Sequence, residues 1–470
     1  MRTRSGCLTC RRRKKKCDEQ KPRCAACARN GLLCSWPPLP PTQIDEAIIV
    51  SNQEAGATDS GANISEAPHL QLCDSPRRTG MFLPESSTLL SHYLARTGGL
   101  LATVPTGLNP FTSSVVAIAY NDDLVMHPIL ALSGSHLSFQ LGDRRDRNGI
   151  ERATYTHYSQ ALKSMQRAVS DPNLDTVAVM KVLLSMMLLC HYEAISGNLA
   201  GSMFSHLRAS RKLILRLRKC RDIFETDDCK MHYGLIIELY SYIVLANSIT
   251  PYGMIPSRAI PLDPFLLSLH SELGDFEAFG TMFGGTHELF EVLMHVSVHA
   301  DQGIEPRPSL DAENKYALLK ARVLQWTPPT IASADPIFLA QRTGVLEVIR
   351  HAVLIYLETM TRLVSRDDEV RMEQIQGLVD IAVAYMRQAT YSPYQCIALW
   401  ALIIVGTCST RHEDQETVSG LLLNNQFKMR NTVQAGHLLK MLWADSDPYA
   451  IGPYGLGIIM RKHGICYAVV

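Results

Sequence analysis

From about Phe82 onward, apolar side chains recur every three or four positions, the period of an amphipathic helix, and no comparable period-two stretches suggest a sheet. Tyr155, Tyr158, Leu162, Met165 and Val169 share one face of such a helix, with His157, Gln160, Lys163 and Arg167 turned outward. Asp171-Pro172 breaks that pattern and can cap the next helix. That next segment, with Val179, Leu183, Met186, Met187 and Cys190, is apolar almost all round and predicts a central helix. Residues 335–364 and 369–389 predict long helices. Cys396 to Val405 is a continuous apolar run, shorter than the roughly 20 residues of a bilayer span, so it predicts a buried core helix and no membrane partner. The fold class is therefore mainly α, with residues 81–470 as one large all-helical domain. Its length exceeds the size at which a single core usually keeps growing, so packed helical subdomains are expected.

Residues 37–80 read differently. Pro37-Pro38-Leu39-Pro40-Pro41 is a stiff spacer, and no Phe, Tyr or Trp follows before Gly80. Such a stretch buries too little apolar surface to offset its ordering entropy, which predicts a disordered linker. Ile44, Ile48 and Ile49 are a fragment of an apolar stripe that nothing sustains, so no coiled coil fixes a two-fold arrangement here. Dimerisation is left open.

The chemistry concentrates in the first 36 residues. Cys7, Cys10, Cys17, Cys24, Cys27 and Cys34 form two tandem copies of C-x2-C-x6-C. Thiolates at these gaps are a metal-ligand pattern, because tetrahedral zinc takes soft sulfur ligands on short turns. Disulfides need an oxidising compartment, and Met1-Arg2-Thr3-Arg4 does not begin a signal peptide. Copper-thiolate clusters are usually denser in cysteine; ligand softness and spacing favour zinc. Six sulfurs are too few for two separate four-sulfur sites, but suffice for two zinc ions if two of them bridge.

Between the cysteines runs Arg11-Arg12-Arg13-Lys14-Lys15-Lys16, an unbroken cationic stretch of the kind that seeks polyanions or serves as a nuclear localisation signal. Residues 1–29 carry eleven Lys or Arg against Asp18 and Glu19, a formal charge of +9. The whole chain has 46 basic and 45 acidic residues, which leaves 35 against 43, or −8, beyond residue 29. A basic head on a mildly acidic body favours DNA contact through the head alone. Lysine can donate to guanine N7 and O6 in the major groove. Most of the remaining cations, Lys21 and Arg23 among them, must sit on phosphates, since so small a module cannot bring all of them to bases.

The stretch from Gly6 to Asp18, followed by Lys21-Pro22-Arg23-Cys24, resembles the fungal binuclear zinc cluster transcription factors. The resemblance implies a nuclear regulator of RNA polymerase II genes that binds double-stranded DNA. It implies that Cys7 and Cys24 bridge, with Cys7, Cys10, Cys17 and Cys24 on one zinc and Cys7, Cys24, Cys27 and Cys34 on the other. It further implies that Lys14, with Arg13, reads a CGG-type triplet. Residues 1–36 are then the DNA-binding domain, with Arg11, Arg12, Arg13, Lys14, Lys15, Lys16, Lys21 and Arg23 as its contacts.

The body in turn resembles a fungal-specific regulatory domain, through His127–Leu137, Tyr158–Leu162, Leu188–Glu193, Ser205–Leu213 and Phe283–Phe290. That resemblance implies an all-helical fold that regulates the head, with co-regulators or transcription machinery and an effector molecule as partners. It supplies no effector identity, and whether the gene set is metabolic is an expectation only. The competing reading is an enzyme or scaffold that uses the zinc module for targeting, but no G-x-S-x-G, P-loop or H-E-x-x-H pattern supports it.

Other features carry bland readings. His295 and His299 have a helical metal spacing without a third ligand, and Gly452, Gly455 and Gly457 predict a terminal loop. Arg208, Arg211, Lys212, Arg216, Arg218 and Lys219 form a cationic arc, read as a solvated face with pairing to an acidic surface or a second DNA contact as alternatives. Cys73, Cys190, Cys220, Cys229, Cys396, Cys408 and Cys466 are scattered, as reduced thiols are, several of them buried in helices.

Overall fold

The computed structural model describes residues 10, 13, 15–18 and 24–30 of the head. It also describes 83–470 apart from 104–108, 143, 145, 172, 220–225, 252–253, 261–263, 277–279, 302–309, 332–334, 362, 389–392 and 425–426. The chain separates into two units, Met1–Pro76 and Arg77–Val470. The segment 37–80 read as a linker lies outside the described residues.

In the head the described helix is α1 (Ala25–Arg29). The body is helical, with no strand among its described residues. Its first half comprises α2 (Ser86–His92), α3 (Ser114–Asn121), α4 (Asp123–Leu141), α5 (Arg147–Val169), α6 (Thr176–Ser196), α7 (Ser202–Leu217) and α8 (Asp227–Ala246). Its second half comprises α9 (Pro264–Glu272), α10 (His287–Asp301), α11 (Leu310–Gln325), α12 (Pro336–Met360), α13 (Glu369–Gln388), α14 (Leu399–Cys408), α15 (His412–Leu423), α16 (Arg430–Ala444) and α17 (Gly452–Lys462).

Helix α6 is buried along nearly its whole length, packing on α4, α7 and α8. It is long and apolar enough to cross a membrane, yet its side chains are spent on the protein's own core. The apolar run ending at Cys408 becomes α14, wedged between α12, α16 and α17. The expected subdomains are not seen. One continuous hydrophobic cluster runs from Leu89 to Val469, because α6, α8, α12 and α14 are apolar on several faces and each packs against neighbours on more than one side.

Three local readings are corrected. In α5 the inward stripe is Ile150, Ala153, Thr154, His157, Ala161 and Met165, whereas Tyr155 is 66% exposed. The stripe is rotated because His157 is satisfied inside: its Nδ1 lies 2.9 Å from His127 Nδ1, and its Nε2 lies 3.0 Å from Ser86 Oγ. The cap of α6 is Asp175, whose carboxylate accepts from the Ala178 amide at 2.7 Å. Gly452, Gly455 and Gly457 lie on α17, not in a loop. A Cβ at Gly455 would stand 2.5 Å from the Ala450 carbonyl carbon, and one at Gly457 would stand 2.2 Å from Met254 Sδ.

Burial holds several of the body's histidines neutral. Burial lowers His157 to about 4, with the neighbouring His127 adding to the effect. Burial likewise lowers His92 to about 4, as does the proximity of His136 and Arg96, and it lowers His191 to about 4. An unfolded imidazole binds its proton near pH 6.5, so between that pH and 4 the unfolded chain holds more protons. Stability conferred by these sites is complete above pH 6.5 and falls as pH falls. Urea midpoints are expected to drop between pH 7 and pH 5, on the order of 1 kcal/mol for each such histidine. His157→Gln should flatten part of that slope.

Candidate metal centre and nucleic-acid interface

The head is built around sulfur. Cys10, Cys17, Cys24 and Cys27 are buried, and the apolar side chain packed against them among the described residues is Ala26 alone. A core with so little hydrocarbon cannot hold a fold by burial. The thiols are free of disulfides. The Sγ atoms of Cys10, Cys17 and Cys24 all lie within 4.8 Å of one another. Cys10 Sγ is 3.6 Å from Cys24 Sγ and 3.9 Å from Cys27 Sγ. Sulfurs at the corners of a tetrahedron about zinc, each about 2.3 Å from the ion, stand about 3.8 Å apart, so the donor set fits the metal.

Short polar links set that geometry. Both Asp18 oxygens accept from the Ala25 amide at 3.1 Å, tying the end of the first C-x2-C-x6-C repeat to the start of α1. The Cys27 amide donates to Cys24 Sγ at 3.4 Å, which favours the thiolate there. Outside the sulfur core, Arg13, Lys15, Lys16 and Arg29 are exposed. Cys7, Cys34, Arg11, Arg12, Lys14, Lys21 and Arg23 lie outside the described residues.

The body's sequence motifs meet at polar clamps that periodicity had reduced to packing. Tyr158 donates to Glu193 Oε1 at 2.5 Å, Asn198 donates to the other oxygen, and His206 Nε2 stands 3.7 Å away, so three separate motifs converge on one carboxylate. Burial pushes the Glu193 carboxyl up, but these partners outweigh it and hold the group below its usual range. The Phe283–Phe290 motif is held from α8: Glu238 Oε1 accepts from the amides of Gly280, Met282 and Phe283 at 3.1, 2.8 and 3.3 Å. The cationic arc of α7 is largely turned onto the body. Arg208 donates to the Ser257 carbonyl, Arg216 to that of Leu174, and Arg218 to Glu272, while Arg211 stacks over Phe265 at 4.3 Å. That leaves it less free for a second DNA contact than a solvated face would be. The His299 side chain is not described, so the His295 spacing is not brought into a site.

Comparison with known proteins falls along the same two-part division. The family model of the fungal Zn(2)-Cys(6) binuclear cluster domain matches residues 5–43. That of the fungal specific transcription factor domain matches residues 88–452, more than three-quarters of the chain. The chain belongs to this family. Among similar proteins, this fungal-specific transcription factor is 34% identical over 90 residues to transcription factor lfc1 of Flammulina velutipes, covering 19% of this chain and 32% of that one. It is 61% identical over 36 residues to the zinc cluster transcription factor CZF1 of Candida albicans, covering 8% of this chain and 9% of the relative. It is 22% identical over 222 residues, 41% of each chain, to the transcriptional activator protein UGA3 of Saccharomyces cerevisiae. Each match spans less than half of the relative's length. No solved structure matches. The Zn(2)-Cys(6) domain takes two zinc ions, and the four described thiols of the head make a cluster of a kind that fits them.

Proposed function

We propose that the protein is a nuclear, sequence-specific DNA-binding transcription regulator whose zinc-thiolate head reads CGG-type triplets. The observation that carries this reading is the head itself: buried thiols at tetrahedral spacing hold a core, and exposed Arg13, Lys15 and Lys16 stand outside it. Cys7, Cys10, Cys17, Cys24, Cys27 and Cys34 hold two zinc ions, with Cys7 and Cys24 bridging. Zinc supplies the folding energy of a module whose described core holds almost no hydrocarbon. Residues 1–36 form the DNA-binding domain, 37–80 the linker and 81–470 the regulatory domain. Regulation, rather than catalysis, is supported by the relatives' names as transcription factors.

In this reading Lys14 and Arg13 contact bases, while Arg11, Arg12, Lys15, Lys16, Lys21 and Arg23 grip phosphates. The test is binding-site selection with the full chain, repeated for Lys14→Ala and Arg23→Ala. The wild type should enrich CGG. Lys14→Ala should cost about 1–3 kcal/mol on that triplet and flatten preference there. Arg23→Ala should weaken all sites alike and reduce the salt slope by about one. An unchanged ranking of sites in both variants would exclude Lys14 as the reader. Paired triplets enriched at one fixed spacing would require a structured linker and a dimer.

A further inference from the structure

Inside the regulatory body lies a cavity of about 360 Å³ that the helix packing leaves unfilled. Its size falls within the roughly 300–1,000 Å³ of small-molecule sites. The wall is mostly hydrocarbon, contributed by Val345 and Val348 of α12, Leu399 and Leu402 of α14, and Met282 and Met386. Polar side chains interrupt it, two of them deeply buried. His191 of α6 and Tyr242 of α8 are 2% and 0% exposed, and both line the cavity. Neither His191 Nε2 nor the Tyr242 hydroxyl has a hydrogen-bond partner among the described residues. Buried polar atoms are rarely left so, since each costs its full desolvation.

The tautomer of His191 is set by its other nitrogen. Nδ1 lies 2.8 Å from the Met187 carbonyl, so Nδ1 carries the hydrogen and donates it. Burial keeps the ring neutral. Nε2 is therefore an acceptor and needs a donor from whatever occupies the cavity. The tyrosine hydroxyl, in turn, can donate. A hydroxyl group meets either need: its O–H donates to an acceptor such as His191 Nε2, and its oxygen accepts from a donor such as Tyr242.

The cavity wall reaches solvent at Asn424 and Lys428, both exposed. Lys428 has φ 49°, the positive value among the described non-glycine residues. A lysine held in that region is strained, as residues beside ligand sites often are.

We infer that this cavity is a binding site for a small, uncharged, predominantly apolar molecule bearing a hydroxyl group, a phenol or alcohol. The observations that carry the assignment are an apolar chamber of ligand size and two unpartnered polar atoms of matching hydrogen-bond sense. The site joins helices far apart in sequence, α6 and α8 with α12, α13 and α14. An occupant binds the folded body alone and so stabilises it in proportion to its concentration. The inference of an effector rests on the regulator reading; the binding site itself does not.

The probe is 2-naphthol, with 2-methoxynaphthalene as the analogue that lacks the donor hydrogen. Titration into the full chain, followed by naphthol fluorescence and by Tm, should show one saturable site and a rise in Tm. 2-Methoxynaphthalene should bind about tenfold more weakly. Tyr242→Phe keeps the ring and removes an unpartnered hydroxyl, so the fold should be retained while 2-naphthol affinity falls about tenfold. Leu402→Trp should fill the cavity and abolish binding, with wild-type helical content as the check on folding. Equal affinity for the two naphthalenes, wild-type affinity in both variants, or no saturation below about 1 mM would overturn the assignment. A chain that reads CGG but binds no naphthol removes the cavity proposal alone. A chain that binds naphthol but no DNA upholds the site and removes the regulator reading.

Discussion

A chain carrying Cys24→Ser is expected to hold fewer than two zinc ions and to lose sequence-specific DNA binding. Cys24 is fully buried, stands 3.6 Å from Cys10 and accepts the Cys27 amide, so it links both halves of the head. Serine replaces the soft thiolate with a hydroxyl that is a poor zinc ligand and that ionises far less readily. Structural zinc contributes of order 10 kcal/mol to small domains, and beside these thiols the head offers Ala26 as described apolar packing. Among the described residues no reserve of burial energy can replace the metal. Native mass spectrometry of the full chain should read two zincs in the wild type and fewer in the variant. Anisotropy on a CGG duplex should show specific binding disappear. The body's helical signal should persist, because its hydrophobic cluster contains none of the head's cysteines. Cys408→Ser, a change at a buried thiol of the body, is the control and should leave the zinc count at two. Two zincs retained by Cys24→Ser would dismiss a bridging role.

The second large effect is expected at Glu238. Its Oε1 is the acceptor for three amides of one loop, at Gly280, Met282 and Phe283. Glu238→Ala leaves those donors buried without a partner and should cost about 3–5 kcal/mol, at about 1–3 kcal/mol for each orphaned group with partial relaxation. The loop they position carries Gly284 and Gly285 at φ 58° and 94°, a path that side-chain-bearing residues seldom follow. Urea unfolding of the variant measures the loss.

Glu238 also has a distinctive pH signature. Burial pushes its carboxyl up to about 7, against the opposing pull of the loop amides. Between about pH 4.5 and 7 the folded chain keeps a proton that the unfolded chain has released. Stability from this group is therefore highest at the acid side of that window and declines as pH rises through it, opposite in sign to the buried histidines. Glu238→Gln retains an acceptor oxygen and cannot ionise. Relative to the wild type, it should gain stability as pH goes from 5 to 7, and a parallel pair of curves would refute the assignment.

Local pattern carried the architecture a long way. Helices α6, α12, α13 and α14 were legible because runs such as Cys396 to Val405 are too apolar to lie anywhere but in a core, and because Glu369 to Gln388 keeps a clean helical period. The orientation of α5 was not legible. His157 reads as an outward residue until His127 and Ser86, 30 and 71 positions away, are found beside it. Glycines 452, 455 and 457 read as a loop because composition cannot reveal that Ala450 and Met254 press against the α-carbons of the last two.

The zinc chemistry and the helical class are both written in short-range spacing: six cysteines at fixed gaps, and apolar residues every three or four. Tertiary structure alone decided which polar residues go inside. Glu193 and Glu238 become clamps, the segment ending at Val469 is strapped down by Asn247, and His191 and Tyr242 come to face one cavity. The physical reason is reach. A ligand spacing or a helical stripe is set within a few residues, whereas a buried carboxylate or imidazole is tolerated only where partners from distant helices, or a bound molecule, complete its hydrogen bonds.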